Sequence, residues 1–151
     1  MIYSYDKVYL RIAQRVLGEM LNYAVYDCGY ELNEYYRLFT ESSYSESIFQ
    51  KETHFVIAGM SGAELAIRVM DVSDDEIVEP GYYFEKSPEY WTGWLLAYYQ
   101  WMSGKTFAVI QKEVPVEKIR DLYHPYHEMD ITQGVQKLRE IAQQNRVEKL
   151  V

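Results

Sequence analysis

SPEYWTGWLLAYYQWMSGKTF, residues 87–107, decides how the rest of the chain is read. Between Ser87 and Trp101 it holds all three tryptophans of the chain and three of its tyrosines. Ser87 is an N-cap residue type. Pro88 follows at the first helical position, where a missing N–H costs no intrahelical bond. Gly104 suits the left-handed turn that ends helices. The stretch therefore reads as one helix, 88–103. On a wheel at about 100° per residue, Tyr90, Trp101, Trp94, Tyr98, Trp91, Met102, Leu95 and Tyr99 fill about half the circumference. Gly93 and Ala97 fall together on another side, where small residues let a neighbouring helix come close. Glu89, Thr92, Gln100 and Ser103 are left as polar surface. A helix apolar this far round is covered on several sides, and each ring can bury about 150–250 Å². The leading reading is a central core helix. A partly exposed aromatic docking face is the second reading, since interfaces favour Trp and Tyr. A cofactor or base-stacking box is the third, but stacking on nucleic acid wants interleaved basic residues, and only Lys105 stands near.

Helical patterns extend outward in both directions. Residues 6–28 place Tyr9, Ile12, Ala13, Val16, Leu17, Met20, Tyr23 and Ala24 on one face, with Gly29 as a stop. ELNEYYRLFTES, 31–42, turns Leu32, Tyr35, Tyr36 and Phe39 inward. Capping boxes pair Ser43 with Glu46, Ser61 with Glu64 and Ser73 with Glu76. HFVIAGM, 54–60, reads equally as an extended piece or a helix start. EPGYYFEKS, 79–87, is a loop. TFAVIQKE and VEKIRDLY are short helices. Asp130 caps a terminal helix with Ile131, Val135, Leu138 and Ala142 on one stripe. The expectation is one all-α domain over 1–151, a compact orthogonal bundle of six to eight helices around 88–103.

Composition narrows the function classes. The net charge is −8, unfavourable for wrapping a phosphate backbone and better suited to a basic partner. The single cysteine, Cys28, has no internal disulfide partner and points to a reducing compartment. YSYDKVYLRIAQRV after Met1 lacks the marks of a signal peptide, and no apolar run reaches the roughly 20 residues a membrane span needs. A cytoplasmic protein is expected.

Few residues look chemical. Asp27 falls by helical phase inside the apolar stripe, near a helix C-terminus where negative charge is unfavourable. A structural hydrogen bond to a Tyr hydroxyl or to backbone of the next helix explains it better than a general base, for no matched second group is visible. HPYHE, 124–128, with Asp130 beyond, gathers His124, His127 and two carboxylates. Its spacing is not the helical pair of a metalloprotease, and it reads as a turn. Cys28 sits at the helix end that does not activate a thiol. No phosphate-cradling glycine loop and no Gly-x-Ser-x-Gly are present. No cofactor and no metal are expected.

MSGAELAIRVMDVSDDEI has the order of a helix-turn-helix over 61–79. The usual glycine between the helices is missing, and Met70 and Asp71 lengthen the turn. The would-be reading helix carries Asp74, Asp75, Glu76 and Glu79, which repel phosphates. Those charges suit a basic protein surface better, or simply a solvated face.

The blocks MLNYAVYDCGYELNEYYRLF, AGMSGAELA, SPEYWTGWLLAYYQWMSGKTF and LYHPYHEMD together resemble a group of small bacterial proteins. That group belongs to Gram-positive gut bacteria, in gene clusters that also encode small ADP-ribosyltransferase-like proteins of toxin type. The resemblance spans roughly residues 15–131. It implies an antitoxin or immunity-type role and carries over no functional residue. The leading expectation is thus a non-enzymatic protein-binding module that occludes a partner, plausibly a toxin. Its expected contacts are Asp71, Asp74, Asp75, Glu76, Glu79, Tyr82, Tyr83 and Tyr99. The alternatives are a transcriptional regulator using 61–79, and an enzyme with Asp27 or His124 and His127 in a pocket.

Overall fold

The computed structural model describes residues 3–47, 59–83 and 85–149. The 54–58 part of the ambiguous HFVIAGM segment lies outside them. Among the described residues there are nine α-helices and no strand. They are α1 Leu10–Asn22, α2 Leu32–Glu41, α3 Ser43–Ser47, α4 Gly62–Met70, α5 Pro88–Ser103, α6 Phe107–Glu113, α7 Val116–Asp121, α8 Tyr123–Tyr126 and α9 Ile131–Lys149. The all-α expectation holds. Seven of the nine have six residues or more, and the other two, α3 and α8, are pieces of about one turn.

Caps, two of them expected at Ser61 and Ser87 and a third at Thr106, explain most boundaries. Ser61, Ser87 and Thr106 accept from the amides of Glu64, Tyr90 and Val109 and open α4, α5 and α6. Gly104 ends α5 at φ 70°. The end of α4 is less ordinary. Asp71 takes the left-handed position itself, at φ 53°, so the missing glycine of 61–79 does not lengthen the turn. An Asp does the glycine's work, at a steric cost of about 1 kcal/mol. HPYHE, read as a turn, shares its first three residues with the one-turn helix α8 and continues as a turn; the His127 ring stacks on Tyr123 at 4.1 Å.

The core is organised by α1 against α5, with α4 on a second side of α1 and α7, α8 and α9 against α5. The crossing of α1 with α5 is glycine on glycine. A Cβ on Gly93 would lie 2.5 Å from the Leu17 carbonyl oxygen and 2.7 Å from Gly18 Cα. Gly62 is tighter still against α1: a Cβ there would lie 2.2 Å from Glu19 Cβ and 2.6 Å from the Val16 oxygen. Contact this close leaves no room for a side chain and brings backbones together. The stripe foreseen for α1 is buried at Ala13, Val16, Leu17, Met20, Tyr23 and Ala24. Leu32, Tyr35, Tyr36 and Phe39 of α2 are buried as expected, and Phe39 meets Phe107 edge to face at 5.2 Å.

One expectation about α5 is reversed. Glu89, Thr92 and Gln100, read as polar surface, are 4%, 0% and 1% exposed. Tyr90, Trp91, Trp94 and Tyr98 are only half-buried. Glu89, Gly93, Leu96 and Gln100 share a face by helical spacing. The small Gly93 draws α1 onto that face, so it becomes the deepest, and the large rings flank it. Each of these buried polar side chains has at least one partner. Thr92 Oγ1 donates to the Pro88 carbonyl at 2.8 Å, and Gln100 Nε2 donates to Ser4 Oγ and the Lys105 carbonyl. Trp101 is buried, its Nε1 donating to the Tyr5 carbonyl at 2.8 Å.

At the far end Glu113 joins α6 to α9. Its carboxylate takes Lys105 Nζ at 2.8 Å and Arg146 Nε at 3.0 Å.

Candidate functional site

The end of α1 is not α-helical. Tyr23–Asp27 forms one π turn, closed by Cys28 N–H donating to the Tyr23 carbonyl at 3.1 Å. A π turn holds one extra residue, so every side chain after it is rotated by about 100° from its α-helical phase. This moves Asp27 off the apolar stripe where helical phase had placed it. It becomes half-buried at the edge and accepts, through Oδ1, the Tyr83 hydroxyl at 2.8 Å and the Gly81 amide at 3.1 Å. The expected Tyr hydroxyl partner is found. The backbone partner is the 77–83 segment and not the next helix.

That segment belongs to a strap, residues 71–87, that runs from the end of α4 to the cap of α5. Its only helical piece among the described residues is a single 3₁₀ turn, Asp74–Glu76. The reading helix foreseen there is therefore absent, and a three-residue turn cannot lie along a major groove. Ser73 does meet Glu76, hydroxyl to Oε1 at 2.6 Å, but does not cap a helix. Hydrogen bonding by Ser73 also holds the Asp75 carboxyl below its usual range.

Polar contacts to the first helix and its π turn hold the strap down. The Tyr23 hydroxyl donates to the Val78 carbonyl. Asp27 holds Gly81 and Tyr83. Ser87 Oγ donates to Asn22 Oδ1 at 2.6 Å. Burial, with a hydrogen bond to Cys28, pushes the Tyr23 phenol up to about 12. Between strap and helix lies a cleft of about 250 Å³, lined by Glu19, Asp27, Glu85 and Lys86 together with the rings of Tyr23, Tyr83 and Tyr90. Lys86 Nζ stands over the rings of Tyr90 and Trp94, at 5.0 and 5.4 Å from their centroids.

The outer face of the strap is open. Asp71, Asp74, Asp75, Glu76 and Glu79 are exposed. So are Ile77, Val78, Tyr82 and Tyr83, with Tyr82 the most exposed at 82%. The structure thus brings together seven of the eight residues expected to touch a partner, along with Ile77 and Val78, which the sequence reading passed over. Tyr99 is the exception. It is 2% exposed, because it lies on the covered side of α5, and it drops out of any contact surface.

Cys28 is half-buried against Tyr23 and Tyr30, and burial pushes its thiol above the ordinary range. His124 is exposed, and His127 Nδ1 lies 2.7 Å from the Tyr123 carbonyl oxygen. Among the described residues no group of three or more His, Cys, Asp or Glu converges on a point that could hold a metal. Sequence reasoning also missed Tyr26, whose hydroxyl donates to the buried Glu89 at 2.7 Å. No local pattern marks a contact between residues so far apart along the chain.

Fold and surface together define an all-α bundle carrying an acidic, aromatic strap on a π-turn anchor. No family model matches the chain, and neither a curated protein nor a solved structure is significantly similar to it. No helix among the described residues is long and apolar enough to cross a membrane.

Proposed function

We propose that this chain is a cytoplasmic protein-binding module whose strap engages a basic face of a partner protein and covers it. The role is of antitoxin or immunity type, with a toxin as the partner held inactive. One observation carries the reading. Four exposed apolar side chains, Ile77, Val78, Tyr82 and Tyr83, lie within seven consecutive positions, in a strap with six carboxylates and one lysine. Exposed apolar groups scattered singly mean little, whereas a contiguous group rimmed by charge is the make-up of a contact surface. The hydrogen bonds to Tyr23, Asp27 and Asn22 hold the strap before any partner arrives, which lowers the ordering cost of association. The carboxylates would steer a basic partner inward.

The test uses a toxin-type ADP-ribosyltransferase-like protein encoded beside the gene in the native host. Purified chain and partner are mixed, and the affinity is compared for wild type, the triple variant D74K/D75K/E76K and Tyr82→Ser. The expected result is binding that weakens with salt and falls by tenfold or more in the triple variant, on the order of 1.4 kcal/mol. A smaller loss is expected for Tyr82→Ser. Equal affinity and equal protection of growth by all three would remove the strap from the function.

A further inference from the structure

A second cleft, of about 350 Å³, opens beside the start of α5. It is lined by Pro88, Glu89, Arg120, Asp121, Tyr123 and His124. Glu89 lines this cleft although it is only 4% exposed. Its Oε1 accepts the Tyr26 hydroxyl at 2.7 Å, and its Oε2 has no donor nearer than that same hydroxyl at 3.5 Å. Among the described residues no cationic side chain lies within ion-pair distance of it. A carboxylate offers about four acceptor positions. One left buried with a single donor is unfavourable unless something else satisfies it.

Arg120, in the last turn of α7, is the complement. It is half-buried in the same lining and makes no hydrogen bond or ion pair among the described residues. Its positive field reaches the Tyr26 phenol that holds Glu89. Tyr123 forms a stiff wall, edge-on to Trp91 at 5.9 Å and stacked on His127. The cleft therefore combines a buried anion short of donors with a cation short of acceptors. A simple cation would meet the guanidinium. A phosphate or other simple anion would meet Glu89 and Asp121. A molecule with both signs satisfies both groups.

We propose that this cleft binds a small amino-carboxylate zwitterion, its ammonium group donating to Glu89 and its carboxylate accepting from Arg120. The exposed imidazole of His124 adds a second polar group to the lining. This site is separate from the outer face of the strap and does not depend on it.

Amide-resolved NMR titration of the full chain tests the assignment. Glycine, β-alanine and γ-aminobutyrate vary the spacing between the two charged ends, and ethylamine and acetate serve as the separate halves. At least one of the three zwitterions is expected to give saturable shifts confined to residues around 88–90 and 120–124 at about 10 mM or below. Binding is expected to weaken by about tenfold in both Glu89→Gln and Arg120→Gln. Neither half is expected to reproduce it. Any one of three results overturns the proposal: no saturable shift from any zwitterion, unchanged affinity in Arg120→Gln, or ethylamine binding as tightly as the best zwitterion. If Glu89→Gln alters the fold by circular dichroism, the less buried variant Arg120→Gln and the half-molecule controls still decide the matter.

Discussion

The crossing of α1 with α5 and the strap laid over the end of α1 are held by opposite means. At the crossing, Gly18 and Gly93 bring two backbones into contact and no side chain intervenes. The strap has little burial of its own and is held by a few side-chain hydrogen bonds to Tyr23, Asp27 and Asn22. Close packing is intolerant, because an added atom has nowhere to go. Hydrogen bonds at a surface are worth little net, since water replaces them. The difference teaches where change is tolerated. The crossing determines whether the chain folds, and the strap can be altered while the bundle stands.

The hardest test of this contrast is Gly93→Ala. The new Cβ would sit 2.5 Å from the Leu17 oxygen, against backbone that cannot swing aside. A loss of about 3 kcal/mol in urea unfolding is expected, at the upper end for overpacking. Wild-type stability in this variant would show that the crossing is not the organising contact. Asp27→Ala addresses the other side. It removes the acceptor for Gly81 and Tyr83 and should lower global stability by about 1 kcal/mol or less. The Gly81 amide should exchange with solvent much faster while amides of α5 stay protected. Equal acceleration in both would mean strap and core unfold as one unit.

High pH sharpens the contrast without any mutation. Burial first, then hydrogen bonding to Glu89, raises the Tyr26 phenol to about 12, as burial does for Tyr23. Both phenols are thus kept neutral in the folded chain above the ordinary value of 10. Their contribution is fully present below pH 10 and is lost as pH rises toward 12. Phenolate absorbance read beside the unfolding midpoint should show stability beginning to fall as pH passes 10, with loss of the Tyr23 bond to Val78 loosening the strap. A fall attributable to these phenols below pH 10 would contradict the hydrogen-bonded geometry of the two hydroxyls.

The smallest expected effect is Asp71→Gly, where the strap leaves α4. Relief of the left-handed strain, reduced by the entropy glycine adds to the unfolded chain, leaves a gain of about 0.5 kcal/mol. A loss instead would show that the Asp71 side chain stabilises the turn.

Much of the fold was legible because local rules and the tertiary result agreed. Ser61, Ser87, Thr106 and Gly104 mark boundaries through contacts within a few residues, which a linear sequence displays directly. The periodic apolar stripes of α1, α2 and α9 are local in the same sense. The burial of Glu89, Thr92 and Gln100 was not legible. Hydropathy ranks side chains one at a time and says nothing of which helix a glycine will admit. Asp27 was read correctly as needing a tyrosine hydroxyl, but that the tyrosine would be Tyr83 depends on the π turn.

The sequence alone determined that this is an all-helical chain, where most helices begin and end, and that its acidic segment would be exposed. These follow from propensity, capping and charge, which act over a few residues. Tertiary structure decided which face of α5 is deepest, that 73–79 would be an anchored strap and not a helix, that Tyr26 would bond Glu89, and that Glu89 and Arg120 would line one cleft. Those outcomes depend on close approach between segments distant in the chain, where the packing of one surface against another outweighs the preference of any single residue.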